Sequence, residues 1–158
     1  MQYHFSDLIR KELVIVHPDV KDHETAIRRL VDLMVRQGFA DPRFADDAIA
    51  RERIFPTGLP TLPVATAMPH ADPDHLNSSS VAVAVLADPV SFGQMGTDGS
   101  VTVEARIVFL LGIKERDKQV TMIGELMALL QNASLLDSLS RAQTPDEAFE
   151  LLTSRVPS

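Results

Sequence analysis

His70 is the residue of this sequence whose surroundings best fit covalent chemistry. It follows Pro69 and is the only ionisable side chain between residues 54 and 71. The proline restricts the chain and so presents the imidazole in a defined direction. Partial desolvation lowers a histidine pKa and leaves a neutral ring that can attack phosphorus. Asp72 and Asp74 oppose that shift. On spacing alone an ordinary loop histidine is the favoured interpretation, and a phosphoryl-accepting histidine is the alternative.

A phosphorylated histidine needs hydrogen-bond donors for its negative charge, and the segment RERIFPTG contains them. Arg51 offers a planar fork of donors that matches phosphoryl oxygens. Thr57 and Gly58 add a hydroxyl and a backbone amide in a turn. The alternative is that Arg51 and Arg53 lie exposed on a helix face, where Glu52 balances their charge. These residues become candidates for phosphoryl binding only in combination with His70.

Metal and thiol chemistry find little support in the sequence. The chain has no cysteine, which excludes disulfides, thiolate metal sites and a cysteine nucleophile. His70 and His75, with Asp72 and Asp74 between them, could bind a metal in a loop, but their spacing fits no standard motif. The other histidines form no metal pattern either: His4, His17 and His23. We therefore predict no metal and no cofactor.

The elements that would position these residues alternate between strands and helices. Apolar runs predict strands at 13–17, 64–68, 80–87 and 103–113. Apolar periodicity and caps predict helices at 22–38, 41–55 and 114–132, the last with Val120, Ile123, Met127 and Leu130 on one stripe. Helix continues through 135–142, and the last helix opens with a capping box at Thr144 and Glu147. This order predicts one α/β domain over residues 1–158, with turns between the two longest strands.

The charge and hydropathy of the chain restrict its partners. A net charge of −7 and a pI near 5.1 disfavour nucleic acid and suit a protein partner with a basic docking face. Four prolines interrupt the uncharged segment, so it cannot form a membrane helix. The amino terminus lacks the pattern of a signal peptide. We expect a cytoplasmic protein that does not insert into the membrane.

The whole segment AIARERIFPTGLPTLPVATAMPHA closely resembles the active-site signature of a bacterial enzyme family. Arg51-Glu52, Pro56-Thr57-Gly58 and Met68-Pro69-His70 match the signature of enzyme IIA components of the phosphoenolpyruvate-dependent sugar phosphotransferase system. The matching branch is type 2, the fructose–mannitol superfamily. The resemblance extends over most of the chain, from the helix at 22–38 to the last helix. It implies a mixed β-sheet flanked by α-helices.

The resemblance also implies a phosphoryl relay. His70 would accept a phosphoryl group from the histidine-containing phosphocarrier protein and pass it to a cysteine of enzyme IIB during sugar uptake. Arg51 would stabilise the charged transition state, and Thr57 would be a weaker phosphoryl contact. The resemblance implies neither a metal nor a nucleotide. Leu59, Leu62 and Met68 are candidate apolar residues for transient docking of these partners.

One position departs from the common pattern of this superfamily. Many members carry a second histidine at the start of the helix after the last long strand, where this chain has Gln119. Glutamine can hydrogen-bond a phosphoryl group or His70 but cannot carry a proton charge. Galactitol-type members resemble this chain at Gln119 and in the Phe-Pro-Thr-Gly segment. This resemblance favours galactitol or a related sugar or polyol as the transported substrate. His75 is an alternative substitute for the second histidine, and a surface role is its other interpretation.

Two further functions stay open at the level of sequence. Nitrogen-related enzyme IIA proteins resemble the same family and regulate other proteins without serving a sugar permease. They share the residues that correspond to His70 and Arg51, so the site does not distinguish the two roles. An unrelated enzyme that uses His70 as a general base is the third interpretation, and a small-molecule pocket at His70 would favour it.

Overall fold

The computed structural model describes residues 4–154 and contains a five-stranded mixed sheet. The strands are β1 (Ile9–Val16), β2 (Gly58–Leu59), β3 (Ala65–Ala67), β4 (Ser80–Gly93) and β5 (Thr102–Gly112). Their order across the sheet is β1-β4-β5-β3-β2. The pairs β1–β4 and β3–β5 are parallel, while β4–β5 and β2–β3 are antiparallel. The α/β class and the mixed sheet are therefore confirmed.

Within residues 4–154, five α-helices cover the two faces of this sheet. They are α1 (His23–Arg36), α2 (Phe44–Ile54), α3 (Arg116–Leu129), α4 (Ala133–Ser140) and α5 (Pro145–Thr153). Buried side chains of α1 and α2 pack on one face, and those of α3, α4 and α5 pack on the other. Short 3₁₀ helices occupy Phe5–Leu8 and Pro73–His75. Among the described residues, no helix has the length and apolarity needed to cross a bilayer.

The hairpin of β4 and β5 supplies the centre of both cores. Successive side chains of a strand point to opposite faces of the sheet. In β4, Ala82 and Ala84 therefore face the α1–α2 side, whereas Val81 and Val83 face the α3–α5 side. Because both faces are covered, the strand has no polar alternation and its central residues are apolar without interruption.

Strand direction brings distant parts of the sequence to one edge of the sheet. The parallel strands β3 and β5 end on the same side, and the chain beyond β3 continues along β5 through a bridge between His70 and Leu111. The antiparallel register of β2 and β3 pairs Gly58 with Ala67, which sets Thr57 beside Met68. The segment after α2 and the segment after β3 therefore meet at this edge.

Several boundaries differ from the prediction. Strand β1 begins four residues earlier than expected, at Ile9, because its exposed segment Arg10–Glu12 hides the apolar pattern. Strand β4 extends to Gly93, beyond its predicted end at residue 87 and into the first residues of the segment 91–100, which was expected to form turns. The helix predicted at 114–132 is shorter, Arg116–Leu129, and α4 is a separate helix that begins after Asn132.

Two details of side-chain placement were also wrong. Val120 is exposed at 79%, and α3 instead buries Met122 and Leu126 against the sheet. At the start of α5, Thr144 accepts the backbone N–H of Glu147 as predicted. The Glu147 carboxylate, however, accepts from the backbone of Gln143 and not from Thr144. The expected capping box is thus half formed.

Candidate active site

His70 lies at the sheet edge with one ring nitrogen held by the backbone. Its Nδ1 is 2.9 Å from the carbonyl oxygen of Met68, and only 8% of the residue is exposed. A carbonyl oxygen accepts and cannot donate, so Nδ1 carries the hydrogen. The Nε2 atom makes no hydrogen bond within residues 4–154. It is also not one of the buried atoms that lack a partner, so it is accessible. The accessible nitrogen of the ring is therefore Nε2, with its lone pair free.

The electrostatic surroundings keep the imidazole neutral. Burial is the largest influence and lowers the pKa of His70, and the positive charge of Arg51 lowers it further. The hydrogen bond to Met68 and the charge of Asp72 raise the pKa, but burial prevails. The sequence left this competition open, and the structure resolves it towards a neutral, nucleophilic ring.

Arg51 lies in the last turn of α2, near enough for its charge to act on His70. Its guanidinium carbon is 5.0 Å from the centroid of the Phe55 ring. Its Nε is buried and has no hydrogen-bond partner in the described chain. A buried donor without an acceptor is costly, and an anion beside it would satisfy that donor.

Thr57 reaches the same edge but its hydroxyl is already engaged. The hydroxyl donates to Oε1 of Glu52 at 2.7 Å and accepts the backbone N–H of Met68 at 3.2 Å. The backbone N–H of Thr57 donates to Oε2 of Glu52 at 2.8 Å. Thr57 thus holds the chain around His70 in place, and its hydroxyl hydrogen is not directed at a phosphoryl group.

Glu52 is the residue that sequence reasoning missed. The sequence analysis included it in the Arg51-Glu52 pair of the signature but gave it no role beyond balancing the charge of Arg51 and Arg53, whereas only 4% of it is exposed. Burial raises the pKa of Glu52 to about 7, although both Thr57 hydrogen bonds lower it. Arg53, in contrast, is exposed and pairs with Glu24 of α1. The available signal was the interval of five residues to Thr57 across a turn that ends at Gly58.

The remaining candidates divide between the site and its surroundings. Gln119, in the first turn of α3, donates from Nε2 to the carbonyl oxygen of Ala71 at 3.2 Å, next to His70. His75 instead bonds to Asp47 of α2 through Nδ1. No group of three or more acidic or histidine side chains within residues 4–154 could hold a metal ion.

The predicted docking residues also fall into two groups. Leu62 is 73% exposed and Leu59 is half-buried, but Met68 is fully buried because it packs into the α3–α5 core. Assigning Met68 to the docking surface was therefore wrong. Phe55 and Val120, which the sequence had not singled out for docking, are exposed close in sequence to Arg51 and Gln119.

The chain is similar to curated proteins with two kinds of role. The chain is 26% identical over 118 residues to the galactitol-specific EIIA component of the phosphotransferase system of Escherichia coli K12, covering 75% of this chain and 77% of that protein. It is 24% identical over 131 residues to the transcriptional regulator ManR of Bacillus subtilis. That match covers 82% of this chain but only 18% of ManR.

A solved structure agrees in fold over nearly the whole chain. The complex of mannitol enzyme IIA with phosphorylated mannitol enzyme IIB from Escherichia coli contains a chain with a TM-score of 0.75 and 25% identity, covering 94% of this chain and all of that one. The family model described as phosphoenolpyruvate-dependent sugar phosphotransferase system, EIIA 2, matches residues 7–155. The chain belongs to this family.

Proposed function

We propose that the chain is a phosphohistidine carrier in which Nε2 of His70 accepts and releases the phosphoryl group. The observation that carries this proposal is the hydrogen bond from Nδ1 to the Met68 carbonyl, which leaves Nε2 as the free nucleophile. The donor is the histidine-containing phosphocarrier protein and the acceptor is a cysteine of enzyme IIB. The complex known for the mannitol relative supports an enzyme IIB partner.

Each transfer exchanges one bond to phosphorus for another. The Nε2 lone pair of His70 attacks the phosphorus, and the bond to the donor histidine breaks with its electron pair returning to that imidazole. In the second transfer the cysteine thiolate attacks, a phosphorus–sulfur bond forms and the bond to Nε2 breaks. Arg51 supplies charge and its unpartnered Nε at the developing negative oxygens.

Partner proteins, rather than a small substrate, suit the surface around His70. Phe55, Leu62 and Val120 are large apolar residues that are more than half exposed. A docked protein would cover such exposed side chains, and Phe55 and Val120 are close in sequence to Arg51 and Gln119. Two of the cavities, of about 350 and 410 Å³, are lined by residues other than His70. The exposed apolar residues support a relay between proteins.

Sugar specificity and the transport role go beyond family membership. Gln119 and the Phe-Pro-Thr-Gly segment support a galactitol-like polyol system, while the mannitol relative is of similar identity. A regulatory module of the nitrogen-related kind, which acts by binding proteins, is the second candidate, and the match to the transcriptional regulator ManR supports a regulatory role. Transfer to a purified enzyme IIB separates these roles, since only the transport role requires it. The cytoplasmic location remains a prediction.

Reconstitution tests the proposal directly. Incubation with phosphoenolpyruvate, enzyme I and the phosphocarrier protein is expected to add one phosphoryl group that is labile to acid and stable to base. Mass mapping of the modified peptide is expected to place this group on His70. An acid-stable phosphoryl group, or one on another residue, would contradict the proposal.

Replacement of Gln119 is expected to have a modest effect on the rate of phosphoryl transfer. Its amide donates to the Ala71 carbonyl beside His70, and a net hydrogen bond contributes about 1 kcal/mol. Gln119→Ala is therefore expected to slow transfer about fivefold in single-turnover assays. The matched control is Gln131→Ala, which removes an exposed amide bonded to the Met127 carbonyl and should leave the rate unchanged. Equal rates for both variants would remove Gln119 from the site.

A further inference from the structure

Glu52 accepts two hydrogen bonds from Thr57, and only an ionised carboxylate is a free acceptor at both oxygens. The two carboxylate oxygens accept the backbone N–H and the hydroxyl hydrogen of Thr57. Because the hydroxyl gives its hydrogen to Glu52, its lone pairs face the other way and accept the N–H of Met68. The direction of the Thr57 hydroxyl is thus set by the charge state of Glu52.

The Met68 residue transmits this arrangement to the imidazole. Its N–H is held by Thr57, and its carbonyl oxygen accepts the hydrogen on Nδ1 of His70. The carbonyl decides which ring nitrogen carries hydrogen, and that choice leaves Nε2 unprotonated. A shift of this short segment would loosen both the direction and the tautomer of the ring.

We propose that Glu52 is a positioning residue for phosphoryl transfer, which acts through Thr57 and Met68 to hold His70 with Nε2 free. The inference rests on the proposed role of His70 as phosphoryl acceptor. Both carboxylate oxygens of Glu52 bond to Thr57 and the residue is buried, so it acts through Thr57 and not by direct contact with the phosphoryl group. It fixes the nucleophile, as supporting residues around reactive groups do.

Glu52 is also accessible to protons from outside the reactive edge. It lines the cavity of about 350 Å³, whose other charged or titratable residues are Lys21, Asp22, His23 and Arg53. A proton on the carboxyl turns one acceptor into a donor to Thr57, and the hydroxyl hydrogen then lacks its acceptor. Protonation therefore breaks the arrangement that the ionised form maintains.

The sign of the pH effect follows from two opposite shifts. The pKa of Glu52 is raised to about 7, so the ionised arrangement is complete above that pH and is lost as the pH falls through it. The pKa of His70 is lowered below its usual value, so the ring stays neutral to more acidic pH. Transfer should therefore lose rate near pH 7 first, before His70 itself becomes protonated.

Glu52→Gln tests the charge state with little change of shape. An amide has an acceptor oxygen at only one of the two carboxylate positions, and its NH₂ group faces the Thr57 hydrogen that the other carboxylate oxygen accepted. We expect single-turnover phosphorylation above pH 7 to fall about 10- to 100-fold, the range that misplacement of a reacting group produces. The step in rate near pH 7 should disappear, because the variant no longer titrates there.

Variants at Thr57 separate positioning from stability. Thr57→Val removes the hydroxyl that links Glu52 to Met68 and should reproduce both effects of Glu52→Gln. Thr57→Ser keeps the hydroxyl and should retain the wild-type rate and pH step. Thermal unfolding of each variant identifies any loss that comes from misfolding, and a misfolded Glu52→Gln leaves the valine and serine pair to decide.

Nitrogen NMR of the His70 ring reads the tautomer without any phosphorylation. The wild type should show hydrogen on Nδ1, and Glu52→Gln and Thr57→Val should show a mixture of tautomers. Folded variants with the wild-type tautomer and pH step overturn the inference, whatever their rates. If the wild-type chain accepts no phosphoryl group on His70, the proposed function fails instead, and the NMR result still reports whether Glu52 controls the ring.

Discussion

Phosphorylation is expected to disappear when His70 is replaced by glutamine. A glutamine amide is close to imidazole in size and can still donate to the Met68 carbonyl, so the local fold is preserved. Its nitrogen lone pair is delocalised into the amide and cannot attack phosphorus. The variant should therefore show no acid-labile phosphoryl group in the reconstituted assay, and it should pass none to enzyme IIB.

The matched control makes the same chemical change at another histidine of the same loop. His75 is bonded to Asp47 of α2 through Nδ1. His75→Gln should keep full labelling, with the phosphoryl group still on His70. A phosphoryl group on a folded His70→Gln protein would contradict the assignment of His70 as the acceptor. Loss of labelling in His75→Gln alone would assign the acceptor role to His75.

The central strands were predictable because their burial on both faces is visible in the sequence as continuous apolar runs. The runs in β4 and β5 are continuous and apolar since both faces of the sheet are covered. Helix α1 was equally predictable, because its N-cap Asp22 accepts the N–H of Thr25 in the first turn. These elements are specified by local patterns that one sequence displays.

Elements at the margins of the sheet were less predictable. Strand β1 pairs only with β4, and its exposed segment Arg10–Glu12 shows no strand alternation. In α3, the stripe was placed one residue out of phase, so that Val120 was assigned inward and Met122 was not. Both errors arise because burial depends on which neighbour covers a surface, and that information lies elsewhere in the chain.

The site itself was half predictable. His70 and Arg51 stand out through their residue types and the motif around them, and the structure brings them within electrostatic range. Glu52 looks like an ordinary surface acid in the run Arg-Glu-Arg. Its burial follows from the pairing of β2 with β3, which places Thr57 against it and beside Met68. Non-local register of this kind cannot be read from spacing alone.

Replacement of Arg51 tests the other half of the reaction, the stabilisation of charge. Arg51→Ala removes the guanidinium whose buried Nε has no acceptor in the described chain. Loss of one preorganised donor at a developing negative oxygen typically costs about 100- to 1,000-fold in rate. We expect a decrease of that size in single-turnover transfer to His70, while labelling still reaches completion at long times.

Arg51→Lys distinguishes charge from geometry. Lysine keeps the positive charge but has no Nε donor and no planar fork. It should recover only part of the lost rate, and it should preserve the lowering of the His70 pKa that the Arg51 charge provides. In Arg51→Ala that pKa should rise, which a proton NMR titration of the ring measures independently of transfer.

The control for Arg51→Ala is Arg28→Ala, which removes the same positive charge from an exposed position on α1. Arg28 is exposed on α1 and pairs with Asp46, and surface pairs of this kind contribute little. Arg28→Ala should transfer at the wild-type rate, which separates a local effect of Arg51 from the general effect of net charge on partner encounter. If Arg51→Ala transfers as fast as Arg28→Ala, the phosphoryl charge must be stabilised by other groups, and the guanidinium serves only to pack against Phe55.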